Sequence, residues 1–143
     1  MVGYNNYNCN PKGRKTGDCS TRAIATTLNI SWEEALQEQM KWSLRTYYDA
    51  TSKQVVEKVL EEWGWVKMKQ PRKWNGKKYD VREMDEILTP EQMQEGVLIT
   101  IANHHTCIKD GMIQDTWNCG QKSVGNYYIN AYGLSKEELA GDR

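Results

Sequence analysis

The chain reads as an α+β fold, with N-terminal helices packed on a C-terminal antiparallel sheet. Three observations carry this reading. Two helix-capping signatures, Ser31-Trp32-Glu33-Glu34 and Thr51-Ser52-Lys53-Gln54, open polar-apolar runs in the first half. The run Val97-Leu98-Ile99-Thr100-Ile101 has the apolar, β-branched character of a buried strand. Asp110-Gly111 is a strong two-residue hairpin signal. The 143 residues suffice for one sizeable core, and no repeat, linker or second domain interrupts residues 1–143.

The elements follow in order. Asp18 is the candidate N-cap of a first helix over about residues 19–28. The box at Ser31 opens a second helix to about residue 48. The third runs from the Thr51 signature to Trp63, with Gly64 as its cap. Trp65 to Met68 forms a short strand. Residues 69–80 are basic and turn-rich, with Lys69, Arg72, Lys73, Lys77 and Lys78 around Pro71 and Asn75-Gly76, and read as a solvated loop or hairpin. Val81 to Leu88 is a short helix, and Thr89-Pro90-Glu91 caps another turn. Val97 to Ile101 feeds the Asp110-Gly111 hairpin, and Ser123 to Ile129 adds a further strand. The polar tail, 135–143, frays.

Composition narrows the function. Nineteen basic and 19 acidic residues cancel, so no net field draws the chain to nucleic acid or an anionic membrane. Trp74 and Tyr79 within the basic run leave nucleic-acid contact as a minor reading only. No stretch is long and apolar enough to span a bilayer, and Met1 to Asn6 lacks the pattern of a signal peptide. The chain has no Phe but 6 Trp and 8 Tyr, amphipathic aromatics that suit a groove with polar rims. The four cysteines, Cys9, Cys19, Cys107 and Cys119, are expected as reduced thiols. Their spacing is too wide for a zinc signature, so no metal is expected.

Cys19 lies in Thr16-Gly17-Asp18-Cys19-Ser20-Thr21-Arg22-Ala23-Ile24-Ala25. At a helix start, unpaired N–H groups and the helix dipole favour a thiolate, the nucleophilic form of cysteine. A partner is available in the segment Asn103 to Asn118. If Asp110-Gly111 forms a two-residue turn, Lys109 pairs with Met112, Ile108 with Ile113, Thr106 with Asp115 and His104 with Trp117. His104 and Asp115 then become diagonal neighbours on one face, while His105 points the other way. A three-residue turn would instead set His105 opposite Asp115, so the choice of histidine rests on the turn. Cys107, on the opposite face from His104, is expected as a core thiol. Asn118 rivals Asp115 as the group that orients the imidazole, but falls on the opposite face in the two-residue register. Arg22, one turn after Cys19, is expected to pair helix with sheet.

The ordered set Asn10-Pro11, Gly17-Asp18-Cys19, Arg22-Ala23-Ile24-Ala25, Ser31-Trp32, His104, Asp110-Gly111 and Asp115-Thr116-Trp117 resembles the papain-like cysteine peptidase superfamily. It is most similar to the small bacterial and phage group of C39-like peptidases. The resemblance implies a papain-like fold with Cys19 as nucleophile, His104 as base and Asp115 as orienting carboxylate. Such enzymes place a Gln or Asn before the nucleophile to bind the oxyanion. Asn10 is the preferred candidate here, with Asn8 behind it, and the Cys19 N–H adds a donor. Trp117 is expected on the substrate-binding side. The implied activity is hydrolysis of an amide or isopeptide bond in a peptide or protein, through a thioester and without a cofactor. Acyl transfer to an amine would use the same groups. The implied location is the cytoplasm, that of a host cell if the protein is phage-encoded. The alternative is a non-enzymatic binding protein on the same fold, such as a phage-encoded inhibitor of a host system.

Overall fold

A six-stranded sheet covered on both faces organises the chain. The computed structural model describes residues 1–130, so the expected frayed tail, 135–143, lies outside the described residues. The elements are β1 (Gly3–Asn6), α1 (Cys19–Leu28), α2 (Trp32–Thr46), α3 (Lys53–Glu62), β2 (Trp65–Met68), a 3₁₀ helix (Val81–Glu86), α4 (Pro90–Glu95), β3 (Val97–Ile101), β4 (His104–Lys109), β5 (Met112–Asp115) and β6 (Tyr127–Asn130).

The helices begin and end where local chemistry sets them. Ser31 Oγ accepts the Glu34 N–H at 3.1 Å, which starts α2. That helix stops at Thr46, short of the expected residue 48, because Tyr47 turns left-handed at φ 62°. Helix α3 is capped by Ser52 rather than Thr51, its Oγ accepting the Val55 N–H at 3.2 Å. Gly64 follows at φ 82°, a conformation that side chains resist, and closes the helix end. The expected helix from Val81 to Leu88 is a tighter 3₁₀ turn ending at Glu86. Asp80 and Glu83 cap its start reciprocally, with the Asp80 N–H donating to Glu83 Oε1 at 2.9 Å.

The sheet has the order β1-β5-β4-β3-β6-β2 and is mixed, not antiparallel as expected. The parallel pair is β1 with β5, in the register Gly3↔Met112 to Asn6↔Asp115. β1 carries no strand pattern in sequence, because Gly-Tyr-Asn-Asn is short and mostly exposed. Pairing with the open edge of β5, not burial, makes it a strand. At the other end, β6 starts at Tyr127, not Ser123. Ser123 makes only an isolated bridge to Asp80. A Cβ at Gly125 would lie 2.9 Å from the Thr100 carbonyl oxygen, so the chain passes too close to β3 there for a side chain.

The Asp110-Gly111 turn forms as expected. Asp110 (φ 54°) and Gly111 (φ 77°) both take positive φ, and Lys109↔Met112 and Ile108↔Ile113 pair across it. Val97, Ile99, Ile101, Ile108 and Ile113 face a core shared with Val81 and Met84. Leu98 and Tyr128 face the other core, with Ala23 and Ile24 of α1 and Val55, Val56, Val59 and Leu60 of α3. Covering on both sides explains why β3 reads as a continuous apolar run rather than an alternating one. Among the described residues no helix is long and apolar enough to cross a membrane.

Gln39 of α2 is fully buried and fixes α1 beneath it. Its Oε1 accepts from Thr21 Oγ1 at 2.6 Å, and its Nε2 donates to Ser20 Oγ and the Ala50 carbonyl, each at 3.0 Å. These bonds anchor the two residues that follow Cys19. Gln39→Leu keeps the volume but strands the buried hydroxyls of Ser20 and Thr21 and the half-buried Ala50 carbonyl, so it should lower the unfolding free energy by about 2–4 kcal/mol in urea titration.

Candidate active site

Asp18 stands at the N-cap of α1, but its carboxylate does not cap the helix. It accepts instead from Arg22 Nε at 2.9 Å, Trp32 Nε1 at 3.0 Å and Asn10 Nδ2 at 3.2 Å. The carboxylate is thereby diverted from the first backbone N–H groups of α1, beside Cys19. Burial alone would raise the Asp18 pKa, but these donors hold it below the usual carboxylate range.

Arg22 links this helix to the sheet. Its Nη1 lies 3.2 Å from Asp115 Oδ1 and 3.3 Å from Thr116 Oγ1. The other oxygen of Asp115, Oδ2, lies 2.7 Å from His104 Nε2. Asp115 is buried, and its Oδ1 also accepts the Thr116 N–H at 2.7 Å. With Nε2 on the carboxylate, Nδ1 is the nitrogen of His104 left for Cys19. The two-residue turn thus pairs Asp115 with His104, the arrangement expected for that register.

The electrostatics follow from this chain of groups. Burial pushes the Cys19 thiol up, but the rings of His104 and His105 and the His105 backbone N–H favour the thiolate and bring it down to about 5. Burial disfavours a His104 imidazolium, yet Asp115 and the Cys19 thiolate raise it to about 9. Despite its burial, Asp115 is held below the usual carboxylate range, chiefly by His104. The two sites therefore form a thiolate–imidazolium pair between about pH 5 and pH 9. The other thiols shift the opposite way: burial raises Cys9, and pushes Cys107 up to about 12 and Cys119 up to about 11.

Cys19, His104 and His105 open onto a groove of about 690 Å³. Thr51, Ser52, Lys53 and Gln54 line one wall, and Thr100 to Asn103 the other. Trp117 lies against the His104 ring, with centroids 5.0 Å apart and planes tilted by 51°. Its indole is 40% exposed and shields that ring from one side.

The expected oxyanion group is directed elsewhere. Asn10 Oδ1 accepts the N–H groups of Lys12 and Arg14 at 3.0 and 3.3 Å, while Nδ2 donates to Asp18. Asn8 Oδ1 accepts the Asn10 N–H at 3.0 Å. Both amides are used in building the turn before Asp18, as Asn side chains commonly are, and neither lines the groove. Asn118 likewise turns to its own backbone, accepting the Gly120 N–H at 3.0 Å. Two side-chain amides line the groove, Asn103 on one wall and Gln54 on the other. Gln54 lies downstream of Cys19 at the start of α3, so a search for an amide before Cys19 passes it by.

His104, Asp115 and Cys119 bring three metal-ligating atoms within 4.8 Å of one another. A cation there would compete with Arg22 for Asp115 and would need Cys119 to lose a proton that burial retains. That donor set fits the proton-handling arrangement better than a metal. Comparison with protein-family models, curated proteins and solved structures gave no match for this chain.

The thiol shifts predict selective alkylation. At pH 6.5, iodoacetamide should modify Cys19 well before Cys9, Cys107 or Cys119, as read by mass spectrometry of the folded protein. Labelling of all four at rates set by exposure alone would contradict the pairing of Cys19 with His104.

Proposed function

We propose that this protein is a thiol hydrolase of the papain-like, cysteine-peptidase type, acting on amide or isopeptide bonds of a peptide or protein through a thioester. The observation that carries the reading is the Cys19–His104–Asp115 chain, with its 2.7 Å contact from His104 Nε2 to Asp115 and a Cys19 thiol lowered to about 5. A helix-borne cysteine, then a histidine and an aspartate on a hairpin, is the order that the resemblance implies. A groove open at Cys19 supports a substrate of extended form.

The proposed reaction has two halves. The Cys19 thiolate adds to the carbonyl carbon, and the negative charge moves to the carbonyl oxygen. The backbone N–H of Cys19 and the amide of Gln54 are the proposed donors to that oxyanion. The carbon–nitrogen bond then breaks as the Nδ1 proton of His104 passes to the leaving amine. Water attacks the thioester, His104 takes its proton, and the sulfur leaves as thiolate. Asp115 holds the ring orientation throughout and favours the imidazolium. Arg22 and the Thr116 N–H keep the carboxylate fixed from its other oxygen.

A binding protein on the same fold is the second reading. Met40 and Leu44, one turn apart on α2, and Tyr47 and Tyr48 just beyond its end are exposed apolar or aromatic side chains, which favours it. In that case Cys19→Ala would leave the protein's action intact.

Two tests follow. Assayed for turnover on a quenched peptide library with folding checked by circular dichroism, Cys19→Ala and His104→Ala should be inactive. Asp115→Ala should lose less than the roughly 10⁴-fold seen for the orienting carboxylate of a serine triad, because a thiolate–imidazolium pair partly sustains itself. Asn118→Ala should stay within a few-fold of native. For the native protein, kcat/KM should rise through about pH 5 and fall through about pH 9. Below the lower value Cys19 is a poor nucleophile; above the upper one His104 has no proton for the leaving group. A profile that is flat across pH 4 to 7 would contradict the thiolate assignment.

A further inference from the structure

Two adjacent histidines line the groove that holds Cys19, and among the described residues one of them, His104, has a carboxylate behind it. His105 lies opposite Thr100 across the β3–β4 pair. Strand alternation turns its ring away from Asp115, toward the face of the sheet that α1 covers. It is 8% exposed and lines the same groove as Cys19, Lys53 and Gln54. Its Nε2 is buried and meets no hydrogen-bond partner of ordinary geometry among the described residues. A buried imidazole nitrogen left in this way needs a reason, since most such groups are paired. Cys19 shares the groove with this ring, and the ring and backbone N–H of His105 favour its thiolate. Among the described residues the other titratable groups on the groove are His104 and Lys53, and no carboxylate lines it.

We propose that His105 is a second catalytic imidazole, a hydrogen-bond donor that holds the Cys19 sulfur as thiolate while His104 moves the protons. The inference rests on the thiol-hydrolase reading and assigns that site a residue beyond the triad. A neutral imidazole has one N–H to give and no need of an orienting carboxylate to give it. In acylation the sulfur lends its electron pair to the new carbon–sulfur bond, and its hydrogen bond to His105 weakens. In deacylation water adds to the thioester carbon and gives its proton to His104. The carbon–sulfur bond then breaks, and its electron pair returns to the sulfur, where the His105 N–H again stabilises the charge. His105 therefore acts most on the departure of the thiolate. Its loss should let thioester accumulate and lower kcat more than kcat/KM.

The test reads Cys19 directly and needs no substrate. The rate of Cys19 alkylation by iodoacetamide is followed against pH in the native chain, in His105→Phe and in His105→Asn, by mass spectrometry. His105→Phe keeps an aromatic ring without a donor, and its midpoint should rise by about one pH unit, an approximately tenfold loss of thiolate at low pH. His105→Asn retains a donor and should recover most of that loss. A folded His105→Phe with the native midpoint overturns the proposal and leaves the triad standing. A native Cys19 that alkylates only above pH 8 overturns both readings. If His105→Phe does not fold, imidazole nitrogen NMR of the native protein against Cys19→Ala decides instead. Removal of the sulfur should shift the His105 ring signals, and unchanged signals overturn the proposal.

Discussion

The carboxylate of Asp115 is the group on which both the fold and the site depend. It is 3% exposed, and a charge so buried is costly unless every lone pair is engaged. Arg22 and the Thr116 N–H take one oxygen, and His104 takes the other. Arg22 in turn is anchored by Asp18, the residue before Cys19. One continuous run of charges therefore ties the start of α1 to the hairpin: Asp18, Arg22, Asp115, His104 and Cys19. Fixing the sheet against the helix and preparing the thiol are done by the same contacts. The arrangement also explains why Asp18 does not cap its own helix. Its side chain is turned to Arg22, and the freed N–H groups lie where a thiolate benefits from them.

Much of this was legible in sequence, and the reasons differ by element. The Asp110-Gly111 turn is encoded locally, since the Asp-Gly pair tolerates the two positive φ values it requires. Once that turn is fixed, alternation decides which histidine faces Asp115. Ser31 and Ser52 carry their own cap bonds, so α2 and α3 begin where short-range chemistry says they should. Arg22 could be read as a link from helix to sheet because its spacing from Cys19 leaves it on the buried side.

The features that escaped are those made by distant partners. β1 has no strand signature of its own, and the parallel pairing exists only because β5 offers an edge. Asn10 has the chemistry of an oxyanion donor, but competition from nearby backbone N–H groups and from Asp18 decides its orientation. Gln54 reaches the groove through the docking of α3, which no local pattern near Cys19 encodes. Strand alternation separates His105 from Asp115 and so gives no sequence signal for it at the site. Alternation does not say where a helix start will lie relative to the sheet, and that placement brings Cys19 onto one groove with both rings.

The edge strand has a consequence in time. Tyr4 Oη donates to the Asp115 carbonyl, a partner 111 residues away along the chain, and the Tyr7 N–H donates to the same oxygen at 2.9 Å. During synthesis the first strand has to wait for β5, far downstream, before it can pair. The helix bearing Cys19 likewise precedes His104 and Asp115, so the sulfur is in place before the groups that favour its thiolate. The lowered thiol pKa is therefore a property of the closed sheet and not of the helix alone.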